Sequence, residues 1–399
     1  GPTQFIGIHL LGYTSDSLLV ELGKQVPALA ARGINLIILE VDYSFEFQSH
    51  PELRQEGGRI THDGARRLAD VCRQHGIRLV PQFQSVGHQS WSRHTFPLLA
   101  VYPELDLTPG AFPDNEGIYC REWCPSLPEV DKLVFDLLDE LLDAFDADAL
   151  HVGMDEVFLI GDEKCPRCRG KDKGDLFAGA VNRLHNHLVK DKQVEMLMWG
   201  DRLLDATVFP YGTWEASKTG SHRALERIPK DIIVCDWHYE RRDDYPSVRF
   251  FQQQGFRVLP CPWKNPEAAV ALLRCARQDA TDKMLGVLFT GWSAGGNGEH
   301  LLAAWKDRDG REKSPAKSQE TARGIAAVIK AGLQEISRYY AELHKLGVNI
   351  THVDVGGGLG VDYDGSHTNY MNSRNYTLDE YCADVIEAVM EVANEDNIP

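Results

Sequence analysis

Short apolar runs alternate with longer amphipathic segments along most of the chain. The first run spans Phe5 to Leu11, and in the segment from about 15 to 31 apolar residues recur at helical spacing. The next run, Ile34 to Val41, is almost uniformly apolar, as expected for a strand buried on both faces of a parallel sheet. The pattern therefore predicts strands connected by helices from the beginning of the chain.

The same alternation continues to about residue 290. Further strands are predicted at 77–83, 149–153, 194–199, 231–237, 256–261 and 285–290, and helices at 63–75, 128–145, 174–191, 246–254 and 266–278. Eight strands that alternate with helices predict an α/β fold, a (β/α)8 TIM barrel, and a helix near 320–345 would close its outer ring. The long segments 42–62 and 84–127, after the second and third strands, are predicted to be functional loops.

Composition and charge restrict the classes of partner. The chain has 399 residues, of which 43% are hydrophobic, and a net charge of −17. An anionic protein is repelled by nucleic acid and by anionic membrane surfaces, so a neutral small molecule or oligosaccharide is the better candidate partner. No run of eighteen apolar residues predicts a membrane span, and no basic and apolar leader begins the sequence, although a processed start leaves secretion open.

The nine cysteines are scattered and odd in number, which does not indicate a disulfide framework. A reducing, cytoplasmic compartment is therefore favoured. Cys165 and Cys168 have the spacing of half a zinc site, and Cys120 with Cys124 could supply the other half. The alternative is that all four are free thiols.

Two adjacent acids, Asp155 and Glu156, follow the predicted strand at 149–153. Side chains at the carboxyl end of a barrel strand are frequently catalytic. Neighbouring carboxylates repel each other, so a site that uses both must separate their roles. The alternative is that Asp155 caps the next helix and Glu156 is solvated.

Polar and aromatic residues also follow the other predicted strands. They are Asp42, His88, Trp199, Asp201, Trp214, Glu215, Trp237, His238, Tyr239, Trp263 and Trp292. A single tryptophan is usually a core residue, but five of the eight lie at or just beyond strand ends. An aromatic pocket with a few polar groups is how proteins hold neutral ring ligands, and sugars fit this description.

Three segments carry a resemblance to a known family. The segment 151–156 resembles the His-x-Gly-Gly-Asp-Glu motif of glycoside hydrolase family 20, the β-N-acetylhexosaminidases. The segments 39–42 and 86–88 resemble the strand-two aspartate and the Pro-Gly-His segment of the same family. Taken together, the resemblance covers roughly residues 5–300.

The resemblance implies a retaining exo-β-N-acetylhexosaminidase that needs no metal or cofactor. In this family the 2-acetamido oxygen of the substrate attacks the anomeric carbon, so the enzyme supplies no nucleophile. Glu156 would be the general acid and base, and Asp155 would orient the acetamide N–H and stabilise the oxazolinium ion.

The resemblance also implies roles for the surrounding residues. Asp42 and His88 would form a relay to Glu156, and Tyr239 would donate a hydrogen bond to the acetamide carbonyl. The substrate-binding residues would include Trp199, Trp214, Trp237, Trp263, Trp292, Asp201 and His151.

The sequence departs from the family pattern at three places. Met154 replaces the second glycine of the motif, the first strand lacks the arginine that usually binds sugar hydroxyls, and Ala294 stands where an acid is frequent. Recognition of the 3-, 4- and 6-hydroxyls is therefore open. A non-catalytic carbohydrate-binding barrel is a second interpretation that these losses permit.

The C-terminal part has a different character. The segment 353–366, with Gly356, Gly357 and Gly358, and the segment 375–381 resemble biosynthetic arginine decarboxylases. In those enzymes a triple glycine binds the phosphate of pyridoxal phosphate. No strand-end lysine in residues 1–300 is suited to a Schiff base, so residues 321–399 are predicted to be a fragment of such an enzyme without cofactor, appended to a hydrolase barrel at 1–320. A decarboxylase-like protein is the third interpretation.

Overall fold

The computed structural model describes residues 4–292, 325, 327–332 and 334–335. Its ten strands are β1 (Phe5–Leu10), β2 (Leu36–Glu40), β3 (Arg78–Ser85), β4 (Ser90–Trp91), β5 (His94–Thr95), β6 (Ala149–Gly153), β7 (Glu195–Trp199), β8 (Ile233–Trp237), β9 (Arg257–Cys261) and β10 (Gly286–Phe289). Strands β4 and β5 form a small hairpin, and the other eight belong to one sheet.

The eight-stranded sheet is parallel and closes into a barrel. Its order is β10, β1, β2, β3, β6, β7, β8 and β9. Between the two ends of this order, Val258 of β9 donates to the carbonyl of Lys283 and accepts from the amide of Leu285, just before β10. The predicted (β/α)8 barrel is confirmed.

Most of the helices cover the outside of the barrel, and two short ones lie in its loops. The helices are α1 (Asp16–Ala30), α2 (His62–Gln74), α3 (Pro97–Val101), α4 (Pro128–Ala144), α5 (Lys173–His185), α6 (Gly212–Glu215), α7 (Pro246–Gln253) and α8 (Pro266–Gln278). Ser15, Thr61 and Asn265 cap α1, α2 and α8 through their side-chain oxygens. In the part of the chain that the structure describes, no helix is both long and apolar enough to cross a bilayer.

Side chains alternate between two apolar layers. Along β8, Ile233, Cys235 and Trp237 belong to the barrel interior, and Val234 packs in the layer between sheet and helices. This period of two fits a strand that is buried on both faces. It explains why the strands are uniformly apolar in sequence.

Charged side chains join the strands at the amino-terminal edge of the barrel. Glu195 at the start of β7 accepts a hydrogen bond from Arg78 of β3 at 2.7 Å and forms a second ion pair with Arg257 of β9. Arg78 also contacts Asp148 at 2.8 Å. We call Arg78, Asp148, Glu195 and Arg257 the basal ion-pair network.

The long loop after β3 is organised around a buried arginine. Arg121 pairs with Asp106 at 2.6 Å and donates to the carbonyls of Ala111 and Phe112. Two residues after Arg121, the backbone amide of Trp123 donates a hydrogen bond to the carbonyl of Val86, just after the end of β3. The loop is therefore anchored where β3 enters the site.

The predicted elements differ from the structure mainly at their ends. Strand β3 extends to Ser85, and the helix predicted at 174–191 is α-helical only to His185, followed by a π-helical turn from Asn186 to Asp191. The helix predicted near 320–345 is helical at 325, 327–332 and 334–335, and the rest of it lies outside the described residues. The predicted boundary between 320 and 321 also lies outside them and stays a prediction.

The closure of the barrel can be tested at Gly286. Its φ is +127°, and an added Cβ would lie 2.0 Å from the backbone oxygen of Phe5 in β1. We expect Gly286→Ala to lower the free energy of unfolding by about 3 kcal/mol or more, since backbone atoms must move. Chemical denaturation measures the change.

Gly23 in α1 provides the control for this prediction, because nothing lies within 4 Å of its added Cβ and its φ is ordinary. Gly23→Ala should stabilise the protein by about 0.5–1 kcal/mol. If both substitutions changed the free energy of unfolding equally, the close contact of Gly286 with β1 would not be needed to close the barrel.

Candidate active site

The two adjacent acids lie where β6 leaves the sheet. Asp155 is 5% exposed, and Glu156 is partly buried beside it. The backbone turns sharply here, because Gly153, Met154 and Glu156 all have positive φ, at 71°, 74° and 51°. This turn directs both carboxyl groups toward the space above the barrel.

His88 reaches the same space from the loop after β3. Its Nε2 lies 3.2 Å from Asp155 Oδ2 and 3.3 Å from Glu156 Oε2. Its Nδ1 lies 3.6 Å from Cys120 Sγ. One imidazole therefore contacts both acids.

The charges of these groups depend on each other. Burial alone would lower the pKa of His88, but the Asp155 carboxylate and hydrogen bonds raise it well above its usual value. Burial would raise the pKa of Asp155, but the charge and hydrogen bond of His88 lower it. The pair is thus an imidazolium with a carboxylate at neutral pH.

One oxygen of Asp155 is left free for a ligand. Asp155 Oδ1 is buried and has no hydrogen-bond partner among the described residues. A buried carboxylate oxygen without a donor is unfavourable, so a donor from a bound molecule would stabilise this site.

A second pair of acids lies at the end of β2. Glu40 contacts His9 of β1, whose Nε2 lies 3.2 Å from Glu40 Oε2 and whose Nδ1 accepts the amide of Gly291 at 3.5 Å. Burial lowers the pKa of His9 to about 3, so its ring is neutral and donates to Glu40. Burial also raises the pKa of Asp42 well above its usual value, and the neighbouring Glu40 raises it further.

The relay from Asp42 to His88 stays a prediction: the two groups lie close enough for the His88 charge to offset part of the rise that burial causes in the pKa of Asp42, and each has hydrogen-bond partners of its own. Asp42 accepts a hydrogen bond from the backbone amide of Gln84 at 2.7 Å, and its neighbour is Glu40. The Nδ1 of His88 faces Cys120 instead of Asp42.

Aromatic side chains enclose the space beside the acids. Trp199 is fully buried and packs against His151 at 4.5 Å and Trp292 at 5.5 Å between ring centroids. Tyr239 packs between Trp237 and Trp263, at 5.0 and 5.4 Å. Trp292 donates its indole N–H to the Tyr239 hydroxyl, which also forms a hydrogen bond with the Thr290 hydroxyl.

Trp214 lies farther out, on α6. It is 49% exposed and packs against Tyr119 at 5.0 Å and Phe158 at 5.4 Å. Tyr119 in turn contacts His88 at 5.7 Å. Trp214 is therefore placed at the mouth of the site and does not join the inner wall of Trp199 and Trp292.

Asp201 and His151 each accept a hydrogen bond from a backbone amide next to the two acids. Asp201 accepts the amide of Glu156 at 2.9 Å, the guanidinium of Arg202 at 2.6 Å and the indole N–H of Trp237 at 3.2 Å. These three donors occupy its oxygens, so the geometry favours a positioning role over contact with substrate. The Nδ1 of His151 accepts the amide of Gly153 at 3.1 Å, which supports the turn before the acids.

Backbone strain is concentrated at this site. Among the residues that the structure describes, eleven non-glycine residues have positive φ, and five of them lie at the ends of β2, β3 and β6, namely Asp42, Val86, His88, Met154 and Glu156. Such conformations cost about 1–3 kcal/mol each and persist where the surroundings impose them. Val86 is β-branched, which makes its φ of 66° especially unfavourable.

Sequence reasoning missed several residues of the site. Tyr119, Cys120, His9 and Arg202 all contact the predicted residues. Tyr119 and Cys120 lie near the end of a long loop, where no strand end marks them. His9 could have been found, because it occupies the first strand, where the family arginine is missing.

The structure describes the cysteines predicted as metal ligands but not the glycines predicted to bind a cofactor. Cys165 and Cys168 lie together with Cys124, and their ligand atoms fall within 4.8 Å of one another, whereas Cys120 lies at His88. Gly356, Gly357 and Gly358 lie outside the described residues, so the predicted phosphate cradle is untested.

The protonation of Glu40 predicts a pH-dependent stability. Burial and the Asp155 charge raise its pKa to about 7 from 4.5. A carboxyl group with a raised pKa in the folded state loses stability when it ionises, so the cost develops as pH rises from about 4.5 and is complete above about 7.

We therefore expect Glu40→Gln to gain about 2 kcal/mol of stability relative to the natural protein between pH 4 and pH 8, because the amide cannot ionise. Urea unfolding at each pH measures the difference. Exposed Glu163, changed to Gln, is the control and should show no such trend. If the difference in unfolding free energy between Glu40→Gln and the natural protein did not change with pH, the pKa of Glu40 would not be raised in the folded state.

Comparisons with known proteins agree with this geometry. Residues 20–293 match the model of the glycosyl hydrolase family 20 catalytic domain. A chitobiase from Flavobacterium johnsoniae aligns with a TM-score of 0.57 at 18% identity, over 89% of this chain and 53% of that one. An exo-β-N-acetylglucosaminidase from Vibrio harveyi, solved with N-acetylglucosamine, aligns with a TM-score of 0.55 at 15% identity, over 88% and 59% of the chains. At these identities the alignments show the shared fold.

The C-terminal part matches a different family. Residues 324–399 match the pyridoxal binding domain of pyridoxal-dependent decarboxylases. The biosynthetic arginine decarboxylase of Trichlorobacter lovleyi is 54% identical over 67 residues, and that of a Nostoc species is 50% identical over 72. The chain spans only 11% of the length of these two relatives. The predicted resemblance to a fragment of a decarboxylase is confirmed.

The match at residues 20–293 covers more than half of the chain and includes β2 to β10, both acids and the aromatic wall. The protein therefore belongs to glycosyl hydrolase family 20.

Proposed function

We propose that this glycoside hydrolase is a retaining exo-β-N-acetylhexosaminidase that removes terminal N-acetylhexosamine by substrate-assisted catalysis. The observation that carries the proposal is the placement of Asp155 and Glu156 side by side, both in contact with His88 and enclosed by tryptophans. The substrate class is a small N-acetylhexosaminide or the end of an oligosaccharide. No nucleic acid, membrane or cofactor enters the proposal.

Asp155 is suited to hold the acetamide group. Its ionised carboxylate has one buried oxygen without a donor, and an amide N–H would supply that donor. The acetamide oxygen then attacks the anomeric carbon, and the negative charge of Asp155 stabilises the positive oxazolinium ring. No carboxylate nucleophile is required.

Glu156 is suited to transfer the proton. As general acid it protonates the leaving oxygen, and as general base it later takes a proton from the water that opens the oxazolinium ring. Asp201 accepts the amide of Glu156 and so fixes its backbone. His88 contacts both carboxyl groups, so the imidazolium charge keeps Asp155 ionised during the reaction.

The aromatic wall is suited to the acetamide methyl group and the sugar face. Trp199, Trp292 and Trp237 provide apolar surface next to the acids. The Tyr239 hydroxyl, which already accepts the Trp292 N–H, can donate its proton to the acetamide carbonyl. That hydrogen bond would align the carbonyl oxygen for attack.

The proton-transfer role of Glu156 is tested by Glu156→Gln. We expect kcat for 4-nitrophenyl N-acetyl-β-D-glucosaminide to fall by about 10²- to 10⁴-fold, because the amide cannot donate a proton to the leaving oxygen. Release of nitrophenol measures the rate, and Glu163→Gln on the same loop is the matched control, since Glu163 is exposed. If Glu156→Gln turned over the substrate at an unchanged rate, Glu156 would not be the general acid.

The substrate-assisted mechanism is tested by the substrate. The matching 4-nitrophenyl β-glucoside carries a hydroxyl in place of the acetamide, so we expect no measurable turnover of it by the natural enzyme. Asp155→Asn should lower kcat for the acetamide substrate by about 10²-fold or more, since it loses the charge opposite the oxazolinium ion.

The product anomer distinguishes the mechanism from direct inversion. Proton NMR of the first product should show the β-anomer. An α-anomer as the first product would contradict retention, and binding of N-acetylglucosamine by calorimetry without any hydrolysis would favour the non-catalytic barrel.

A further inference from the structure

A cluster of three buried cysteines lies outside the candidate active site. Cys124 belongs to the loop between β3 and α4, and Cys165 and Cys168 belong to the loop between β6 and α5. All three are fully buried, and their sulfur atoms lie within 4.8 Å of one another. We call Cys124, Cys165 and Cys168 the sulfur triangle.

The spacing of the sulfurs fits a metal better than a disulfide. Cys124 Sγ and Cys165 Sγ are 3.8 Å apart. A disulfide requires about 2.05 Å between sulfurs. Two thiolates on a tetrahedral zinc ion, each at about 2.3 Å from the metal, are separated by about 3.8 Å. The Cys124–Cys165 edge of the triangle therefore has the length expected in a tetrahedral zinc–thiolate site, and the third sulfur lies within 4.8 Å of both.

The backbone around the triangle is built to donate to sulfur. The turn Cys165-Pro166-Arg167-Cys168 folds so that the amide of Cys168 donates to Cys165 Sγ at 3.2 Å. The amide of Ser126 donates in the same way to Cys124. Gly170, with φ of 74°, lets the chain turn away directly after the cysteines. Amide donors favour the thiolate, which is the form that binds metal.

The local charges also suit a divalent ion. The guanidinium of Arg167 lies beside the Cys124 sulfur and donates to the carbonyls of Glu104 and Asp106. Three thiolates and one zinc ion carry a net charge of −1, which the Arg167 charge offsets. Buried thiolates without such compensation would be strongly unfavourable.

A surface cleft of about 550 Å³ lies near the triangle. Leu176 lines this cleft and also packs against the three cysteines. Pro125 and Ser126, which directly follow Cys124 in the chain, line it as well.

We propose that Cys124, Cys165 and Cys168 bind one zinc ion through their thiolates, with water in the fourth position. The ion joins two loops that both lead to the acids, because Cys124 follows the loop of His88 and Cys165 follows the turn of Glu156. A hydrogen bond from the amide of Leu159 to the carboxyl group of Glu122, at 2.6 Å, also connects these two loops. The zinc ion thus fixes the separation of the loops that carry the general acid and its histidine.

Metal analysis of the purified full chain tests the proposal. We expect about one zinc ion per chain after exhaustive dialysis, released when a mercurial reagent blocks the thiols. Cobalt exchanged into the site should show the near-ultraviolet charge-transfer band of thiolate ligands. Removal of zinc by a strong chelator should lower the melting temperature, and zinc added back should restore it.

Variants separate the triangle from the other cysteines. Cys165→Ala and Cys168→Ala should each reduce zinc to background, whereas Cys72→Ala, which removes another fully buried thiol, should retain it. Zinc retained in the first two variants would overturn the assignment of the ligands.

Zinc content and thiol state of the natural protein test the proposal even if a cysteine variant fails to fold. Protein without zinc, all of whose thiols titrate after denaturation, would show that the triangle is apolar packing and would overturn the proposal. A mass two hydrogens lower in denatured, unreduced protein would also overturn it, by showing a disulfide in its place.

Discussion

The contact of His88 with Asp155 and Glu156 is the interaction on which the site depends. Two adjacent carboxyl groups in a largely buried space repel each other and lose hydration. The imidazolium of His88 offsets this cost because its Nε2 lies within 3.3 Å of both. The backbone must adopt left-handed conformations at His88 and Glu156 to make the contact, and the barrel has to hold those conformations in place.

The neighbouring groups fit this arrangement of charge. Burial, and to a smaller extent the negative charge at Asp155, raise the pKa of Glu40 to about 7 and that of Asp201 to about 6. His9, on the opposite side, is neutral because of its burial. The site therefore keeps one ionised carboxylate next to its histidine, while the acids around it hold their protons more tightly.

The barrel could be predicted from the sequence because its signal is local. Uniform apolar runs such as 149–153 and helical spacing such as 266–278 reproduce β6 and α8 to the residue. Residues that follow a strand directly, such as Asp155 and Trp199, could also be placed, since parallel strands end at one edge. The contacts of Cys120 with His88 and of Tyr119 with Trp214 could not, because they depend on the path of a long loop.

The basal ion-pair network lies at the end of the barrel opposite the acids. Its four side chains begin or precede β3, β6, β7 and β9, so the length of each strand separates them from His88 and Glu156. Its pairs are partly exposed, and salt screens such pairs. Resistance to heat or to high ionic strength can therefore be adjusted at this end by substitution, without disturbing the chemistry at the other end.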